Sequence, residues 1–158
     1  MVTIHRATRE DTPTIARLHA ASIRELGRSH YDDRQVRAWA GGKRPERYPV
    51  DEEDEYVVVA EVDRRLAGYG HLRLEDGEVR AVYVHPDFAR RGIGSALLSH
   101  LESTAREDGH VDCYLYSSCN AVGFYERAGW TVVAAETIET TGDGVTAELV
   151  VRVMEKEL

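Results

Sequence analysis

A strand, a helix and a second strand follow one another between residues 78 and 117, and this order restricts the fold. EVRAVYVHP (78–86) and VDCYLYS (111–117) are rich in β-branched and aromatic residues, as strands are. Between them, apolar residues recur at helical spacing from about Gly92 to Gly109. Strands joined by such a helix pair in parallel through a right-handed crossover. The sequence therefore predicts one parallel strand pair.

The rest of the chain alternates between strand and helix patterns. Further strands are predicted at 2–8, 56–62, 66–74, 130–138 and 145–155, with turns at Asp76-Gly77 and around Gly142 and Gly144. Further helices are predicted at 10–26, between Asp32 and Gly41, and at 120–128. This order favours one α+β domain over 1–158. Its sheet has about seven mostly antiparallel strands and one parallel crossover, flanked by about four helices.

The charge and the apolar pattern exclude several classes of partner. The net charge is −8, from 28 acidic and 20 basic residues, so nucleic acid is not expected to bind. A cationic small molecule or peptide is attracted more easily; the alternative is that the charge serves solubility alone. No apolar run is long enough to cross a membrane, and the charged N-terminus does not resemble a secretory signal. We therefore expect a cytoplasmic protein without a membrane partner. The oligomeric state stays open, with a homodimer among the alternatives.

Two cysteines and seven histidines are scattered along the chain, without the spacing of a metal site. Cys113 and Cys119 are too few for a disulfide framework, and no histidine pair has the ligand spacing of a zinc helix. No metal is therefore expected.

The segment HPDFARRGIGSALL (85–98) combines two arginines and two glycines at the start of a predicted helix. The first N–H groups of a helix have no backbone partner and carry the positive end of its dipole. Gly92 and Gly94 let an anion approach the backbone, and Arg90 and Arg91 add positive charge. The pattern favours a diphosphate site. The alternative is a tight turn with solvated arginines.

Two well-known phosphate motifs do not fit this segment. A P-loop ends in GK[ST], whereas this chain has GIGS. The dinucleotide fingerprint needs a third small residue, and Leu97 occupies that position.

The same segment, the preceding YVHP and the later SSCNAVGFYERAGW (117–130) resemble the GNAT superfamily of acyl-CoA-dependent N-acyltransferases. ARRGIG (89–94) matches both glycines of the family loop Q/R-x-x-G-x-G/A, but has alanine at the leading position. The later segment has the residues that the family pattern expects at Asn120, Ala121, Phe124, Tyr125, Gly129 and Trp130. The order of predicted elements also fits, so the resemblance covers nearly the whole chain.

The resemblance implies a binding site for acetyl-CoA as cosubstrate. The coenzyme diphosphate would be held by the backbone N–H groups of Arg90, Arg91, Gly92, Ile93, Gly94 and Ser95. Tyr83 and Val84, at the end of strand 78–84, would pair by main chain with the pantetheine arm, for which the parallel strands splay apart. Asn120 would hydrogen-bond this arm; the alternative is a helix N-cap.

Acyl transfer to an amine needs a base and an acid. Only about one alkyl amine in a thousand is neutral at pH 7, and the leaving thiolate needs a proton. By resemblance, Tyr125 is the acid and Glu78 the base, with water, His85, Tyr83 and His30 as other candidates. For Tyr125, the alternative is an aromatic ring that packs beside Phe124. For Glu78, the alternative is a solvated residue at the end of a strand. The Val84 N–H would stabilise the oxyanion.

The acceptor pocket of the family lies beside the first two helices, and here that region supplies His30, Tyr31 and Trp39 as candidate lining residues. For Trp39, burial in the core is the alternative. The predicted function is an N-acetyltransferase that transfers an acetyl group to a primary amine of a small molecule or peptide, by direct attack in a ternary complex. The alternatives are a non-catalytic acyl-CoA-binding regulatory module and a protein N-terminal or lysine acetyltransferase.

Overall fold

The computed structural model describes residues 1–158, and its seven strands form one mixed sheet in the order β1-β2-β3-β4-β5-β7-β6. Neighbouring strands are antiparallel except for the pair β4–β5, which is parallel, as the crossover predicts. The strands are β1 (Val2–Arg6), β2 (Glu55–Val62), β3 (Arg65–Arg73), β4 (Glu78–Val84), β5 (Asp112–Ser118), β6 (Thr131–Gly142) and β7 (Val145–Glu157).

Four α-helices cover the two faces of the sheet, which confirms the predicted fold class. They are α1 (Thr12–Leu26), α2 (Asp33–Ala40), α3 (Ile93–Glu107) and α4 (Val122–Arg127). The apolar side chains of α3 and α4 pack on one face, and those of α1 and α2 pack on the other. None of these helices is long and apolar enough to span a bilayer.

β2 shows how the sequence pattern produces this layered core. Val58 and Ala60 pack beneath α3, whereas Val57 and Val59 pack beneath α1, because successive strand side chains point to opposite faces. All four residues are buried, so the unbroken apolar run of this strand is explained by burial on both faces.

The terminal hairpin is longer than the sequence indicates. Its strands extend to Gly142 and start again at Val145, and Asp143 and Gly144 form the turn with φ values of 53° and 71°. Two-residue hairpin turns with positive φ at both positions match the twist of the flanking strands, and Asp-Gly adopts them readily. The turn therefore lies where it was expected, around Gly142 and Gly144.

A buried ion pair joins α3 to the C-terminal strand. Glu102 accepts hydrogen bonds from Trp130 Nε1 (3.0 Å) and from Lys156 Nζ (2.7 Å), and Lys156 also donates to the Ala128 carbonyl (2.8 Å). Both carboxylate oxygens of Glu102 are therefore bonded, one to a neutral donor and the other to a charged one. This network fixes the segment after α4 against α3.

Glu102→Gln is expected to lower the free energy of unfolding by about 2 kcal/mol, because the amide replaces a charged acceptor of Lys156 with a neutral one. The shift is measured as the midpoint of urea unfolding. Glu107→Gln, on the exposed side of the same helix, is the matched control and should stay within about 0.5 kcal/mol of the parent. Equal midpoints for the two variants would contradict a stabilising role for the network.

Candidate active site

β4 and β5 separate almost as soon as they pair. Their only register pair is Glu78 with Tyr114, next to a bond from the Tyr114 N–H to the Gly77 carbonyl (3.4 Å). Towards Val84, the two strands share no further pair. The result is a gap in the middle of the sheet that widens towards the carboxyl end of β4.

Backbone groups of β4 point into this gap. The His85 N–H donates to the Ala67 carbonyl of β3 (2.7 Å). Because the direction of the N–H groups alternates along a strand, the N–H groups of Val84 and Val82 point away from β3. They therefore face the gap, where they can pair with a ligand.

The loop before α3 lies at the wide end of β4. Arg90 and Gly92 have positive φ values of 63° and 77°, and the first helical bond runs from the Ala96 N–H to the Gly92 carbonyl (3.0 Å). The N–H groups of residues 90–95 have no backbone acceptor, and they carry the positive end of the helix dipole. Arg90 and Arg91 are exposed beside them.

The two glycines of the loop have different surroundings. A Cβ at Gly92 would meet no protein atom within 4 Å, so the space beside it is open to a ligand. A Cβ at Gly94 would come within 3.2 Å of the Phe124 ring. Gly94 therefore allows the start of α3 to pack closely against α4, and Gly92 leaves the approach to the N–H groups free.

Asn120 occupies the short 3-10 turn that follows β5. Its Oδ1 is the one buried side-chain polar atom without a hydrogen-bond partner. The residue makes no capping bond to α4, whose N-cap is Ala121, so the N-cap alternative does not apply. An unpaired buried amide oxygen costs about 1–3 kcal/mol, and a donor on a bound ligand would remove that cost.

Tyr125 lies on α4 and is 6% exposed. Its ring packs edge-on against Phe124 and lies 6.0 Å from the ring of Trp130, so the packing alternative applies to the ring. Burial, and then the neighbouring Tyr83, raise the pKa of the hydroxyl above its ordinary value. The group therefore stays protonated at neutral pH, as a proton donor must.

Glu78 begins β4 at the narrow end of the gap and is 7% exposed, so it is not the solvated strand end that was the alternative. Its Oε1 accepts hydrogen bonds from Arg73 (2.8 Å) and Arg80 (3.2 Å), while Oε2 has no partner within the chain. Burial raises the pKa of this carboxyl, although both arginines oppose the shift. The raised pKa brings its proton exchange closer to neutral pH.

A cavity of about 440 Å³ opens on the face of the sheet that carries α1 and α2. It is lined by His19, Trp39, Lys43, Glu78, Arg80, Tyr83, Tyr116, Ser118, Ile138, Glu139, Thr140, Leu149 and Val151. Of the residues singled out in the sequence, Trp39, Glu78 and Tyr83 meet here. The cavity therefore adjoins β4 and β5, the strands that border the gap.

Tyr31 and His30 do not line this cavity. Tyr31 is buried behind Trp39, 5.6 Å away edge-on, and its hydroxyl donates to the Val150 carbonyl (2.6 Å) and accepts from the Cys119 N–H (2.9 Å). It thus supports the cavity wall from within the core. His30 is exposed and hydrogen-bonds Ser29.

Among the polar residues of the cavity that were not singled out in the sequence, three carry nitrogen in their side chains. They are His19, Lys43 and Arg80. The Tyr48 and Tyr69 hydroxyls lie 2.9 and 2.8 Å from His19 Nδ1, and burial lowers the pKa of this imidazole, so it is neutral. Lys43 could have been noticed in the sequence, because lysine occurs only twice in a chain whose other permanently charged cations are arginines.

Side chains capable of metal binding do not gather into a group of three or more. His85, one of the other base candidates, accepts a hydrogen bond from the Asp87 N–H (3.0 Å) and borders a different cavity, near Phe88. It is therefore separate from the cavity that contains Glu78.

The family model of the acetyltransferase (GNAT) domain matches residues 28–147, about three quarters of the chain. This chain belongs to the GNAT family. The match includes the glycine loop, Asn120, Tyr125 and every lining residue of the cavity except His19, Leu149 and Val151.

Individual proteins resemble the chain to different extents. Mycothiol acetyltransferase of Clavibacter sepedonicus is 32% identical over 116 residues, and the match covers 70% of this chain but 34% of that protein. The chain thus spans about a third of that relative's length.

Two solved structures match over nearly the whole chain. A GCN5-related N-acetyltransferase from Rhodopseudomonas palustris is 25% identical with a TM-score of 0.89, covering 99% of this chain and 95% of that one. PaiA N-acetyltransferase from Thermoplasma acidophilum, solved with coenzyme A, shares the fold at 22% identity with a TM-score of 0.80, covering 100% and 99%.

Proposed function

We propose that this GNAT domain transfers an acetyl group from acetyl-CoA to a primary amine by direct attack in a ternary complex. The observation that carries the proposal is the gap between β4 and β5, with unpaired N–H groups along its edge and at its wide end. Such a gap suits a ligand with an extended arm that carries amides and is joined to a diphosphate. Coenzyme A has this chemistry.

The residues around the gap can hold each part of acetyl-CoA. The free N–H groups of residues 90–95 would bind the diphosphate, with Arg90 and Arg91 supplying charge. The main chain at Val84, whose N–H faces the gap, would pair with the amides of the pantetheine arm, whereas the backbone groups of Tyr83 face β3 and its side chain lines the cavity. Asn120 Oδ1 would accept a hydrogen bond from one of these amides, which satisfies its unpaired oxygen.

The chemistry needs one proton removed and one supplied. Glu78 lies six residues along β4 from Val84, about 20 Å at the usual strand rise, so it would take a proton from the attacking ammonium through a chain of water molecules. The neutral nitrogen then forms a bond to the thioester carbon. The Val84 N–H would stabilise the oxyanion that develops on the carbonyl oxygen. As the C–S bond breaks, Tyr125 would donate its proton to the departing sulfur, and the second nitrogen proton neutralises the tyrosinate through solvent.

A small-molecule acceptor fits the cavity better than a protein terminus does. Its volume of about 440 Å³ lies within the usual range of small-ligand sites, about 300–1,000 Å³. Two features favour turnover over a purely regulatory role, namely the buried carboxyl of Glu78 and the protonated Tyr125. A module that only binds the coenzyme needs neither.

Thiol release from acetyl-CoA, measured across a panel of amines, tests the function. The panel holds polyamines, amino acids, aminoglycosides and short peptides with free N-termini or lysines, and coenzyme binding is measured separately by calorimetry. Release well above background with one class supports acetyl transfer and identifies the acceptor type. Coenzyme binding without release from any acceptor would favour the regulatory module, and absence of binding would contradict the proposed site.

Gly92→Ala is expected to weaken coenzyme binding about tenfold, because the new methyl group fills the open space through which the diphosphate approaches the backbone. The substitution also costs about 1–2 kcal/mol of stability, since alanine strains the positive φ. Calorimetric titration with coenzyme A measures the first effect and thermal unfolding the second.

Gly144→Ala is the matched control for this experiment. Gly144 has a similar φ of 71° and equally open surroundings, but it lies in the β6–β7 turn. Both variants should lose similar stability, and only Gly92→Ala should lose affinity. Unchanged affinity in Gly92→Ala would place the diphosphate elsewhere.

A further inference from the structure

The acceptor cavity continues into a second cavity that is strongly basic. This second cavity has a volume of about 280 Å³, and His19, Lys43 and Arg80 line both. Arg44 and Arg47 add two further cations to the second cavity, and no Asp or Glu lines it. A chain with a net charge of −8 has thus gathered four cations around one cavity.

Lys43 has no partner for its charge. Its ammonium group makes no ion pair with the chain, whereas the other lysine, Lys156, pairs with Glu102 at 2.7 Å. Burial, and then Arg47, lower the pKa of Lys43 to about 8. A partly buried cation without a counter-ion is costly, and a bound anion would remove that cost.

Arg80 is only partly used within the chain. One guanidinium nitrogen donates to Glu78 Oε1 (3.2 Å), and its other donors make no hydrogen bond to the protein. Arginine donors lie in a planar fork that suits carboxylate and phosphate oxygens. Arg80 therefore contacts the carboxyl proposed as the base and lines both cavities together with Lys43.

The position of Lys43 is fixed by close backbone packing rather than by its own contacts. A Cβ on Gly42 would come within 2.8 Å of the Thr141 carbonyl, and one on Gly142 within 2.5 Å of the Gly42 N. The loop that carries Lys43 thus lies directly on the tip of the β6–β7 hairpin. The backbone at Lys43 is therefore held at the cavity wall by its own loop and by the β6–β7 hairpin, which are distant in sequence.

We propose that the amine acceptor also carries an oxyanion, a carboxylate or a phosphate, which Lys43 and Arg80 bind while the amine points towards Glu78. The first cavity presents both signs of charge, with Glu78 and Glu139 alongside Lys43 and Arg80. That arrangement complements a zwitterion and disfavours a polyamine, which would place positive charge against the two cations. The inference rests on the proposed acetyl transfer and specifies its substrate class.

Matched acceptors test the proposal in the thiol-release assay. Amino acids are compared with the amino alcohols obtained by reducing their carboxylate, such as leucine with leucinol, and phosphoethanolamine is compared with ethanolamine. We expect the preferred acceptor to be anionic, with kcat/KM about tenfold or more above that of its alcohol, the effect of a charged hydrogen bond. The two anion types also distinguish a carboxylate site from a phosphate site.

Variants then assign the preference to Lys43. Lys43→Met should raise KM for the preferred anionic acceptor about tenfold, with a smaller change for its alcohol, and Lys43→Arg should restore part of the loss. Arg28→Met, on an exposed turn that borders neither cavity, is the control. A neutral or cationic preferred acceptor, or an equal loss for acid and alcohol in Lys43→Met, overturns the inference and leaves acetyl transfer standing.

A measurement without turnover separates this inference from the proposed function. Because the chain has two lysines, acylation of Lys43 by an amine-reactive reagent can be followed by mass spectrometry, with Lys156 as the internal reference. Isovalerate or inorganic phosphate should slow the acylation of Lys43 relative to Lys156, whereas neutral isovaleramide at matched ionic strength should not. Protection by these anions supports the site even without thiol release, and equal acylation in all three solutions overturns it.

Discussion

Tyr125→Phe is expected to lower kcat about a hundredfold and to leave the affinity for acetyl-CoA within about twofold of the parent, because it removes one proton donor and no packing surface. Phenylalanine keeps the edge-on contacts of the ring with Phe124 and Trp130. The two effects are measured by steady-state thiol release and by calorimetric titration of the coenzyme.

The pH dependence sharpens this test. Burial raises the pKa of Tyr125, so the parent should lose no rate through tyrosine ionisation up to about pH 10. Tyr56→Phe is the matched control. The Tyr56 hydroxyl forms a hydrogen bond with His100 of α3 and lies outside the proposed site. Equal kcat values for Tyr125→Phe and the parent would assign the proton donor to another group.

Glu78→Gln is expected to lower kcat/KM about a hundredfold above the pKa of the carboxyl and by less at lower pH. Burial raises that pKa, so the parent gains the basic form, and therefore rate, as the pH rises through the raised value. The glutamine variant cannot titrate and should lack this part of the profile. Both proteins are assayed with the same acceptor, so the titration of the amine affects both kcat/KM values equally and cancels in their ratio.

The design of Glu78→Gln limits structural side effects. The amide oxygen can still accept the hydrogen bonds from Arg73 and Arg80, and thermal unfolding reports whether the strand start is intact. Glu136→Gln, an exposed substitution on β6, is the control for the loss of one negative charge. A parallel pH profile in Glu78→Gln and the parent would identify water, or another group, as the base.

The fold was largely predictable because local and global signals agree along the chain. The unbroken apolar run of β2, the capping residue Asp32 and the strand–helix–strand order of 78–117 each correspond to the observed element. The turn of the last hairpin lies where its glycines predicted it, but the first of the two strands extends four residues further than the pattern indicated. The length of β6 is set by its pairing with β7, and a local sequence pattern carries no information about that pairing.

The two halves of the candidate site differ in how far they were predictable. The loop around Gly92 is contiguous in sequence, so its glycines and arginines could be interpreted together. The acceptor cavity instead combines α1, the loop at Lys43 and the last two strands. Local patterns could not tell that Tyr31 lies behind Trp39, because its position depends on a contact with Val150, more than a hundred positions away.

Because β4 and β5 share only one register pair, the sheet is almost divided into two smaller sheets. The α3 crossover connects these two sheets along the chain. Along the gap, the facing edges of β4 and β5 have backbone groups without a partner in the sheet, and such edges pair readily with another extended chain. A molecule that pairs with them acts as a removable structural element, and its binding free energy adds to that of folding. Under the proposed function, bound acetyl-CoA would therefore stabilise the folded chain as well as serve as its substrate.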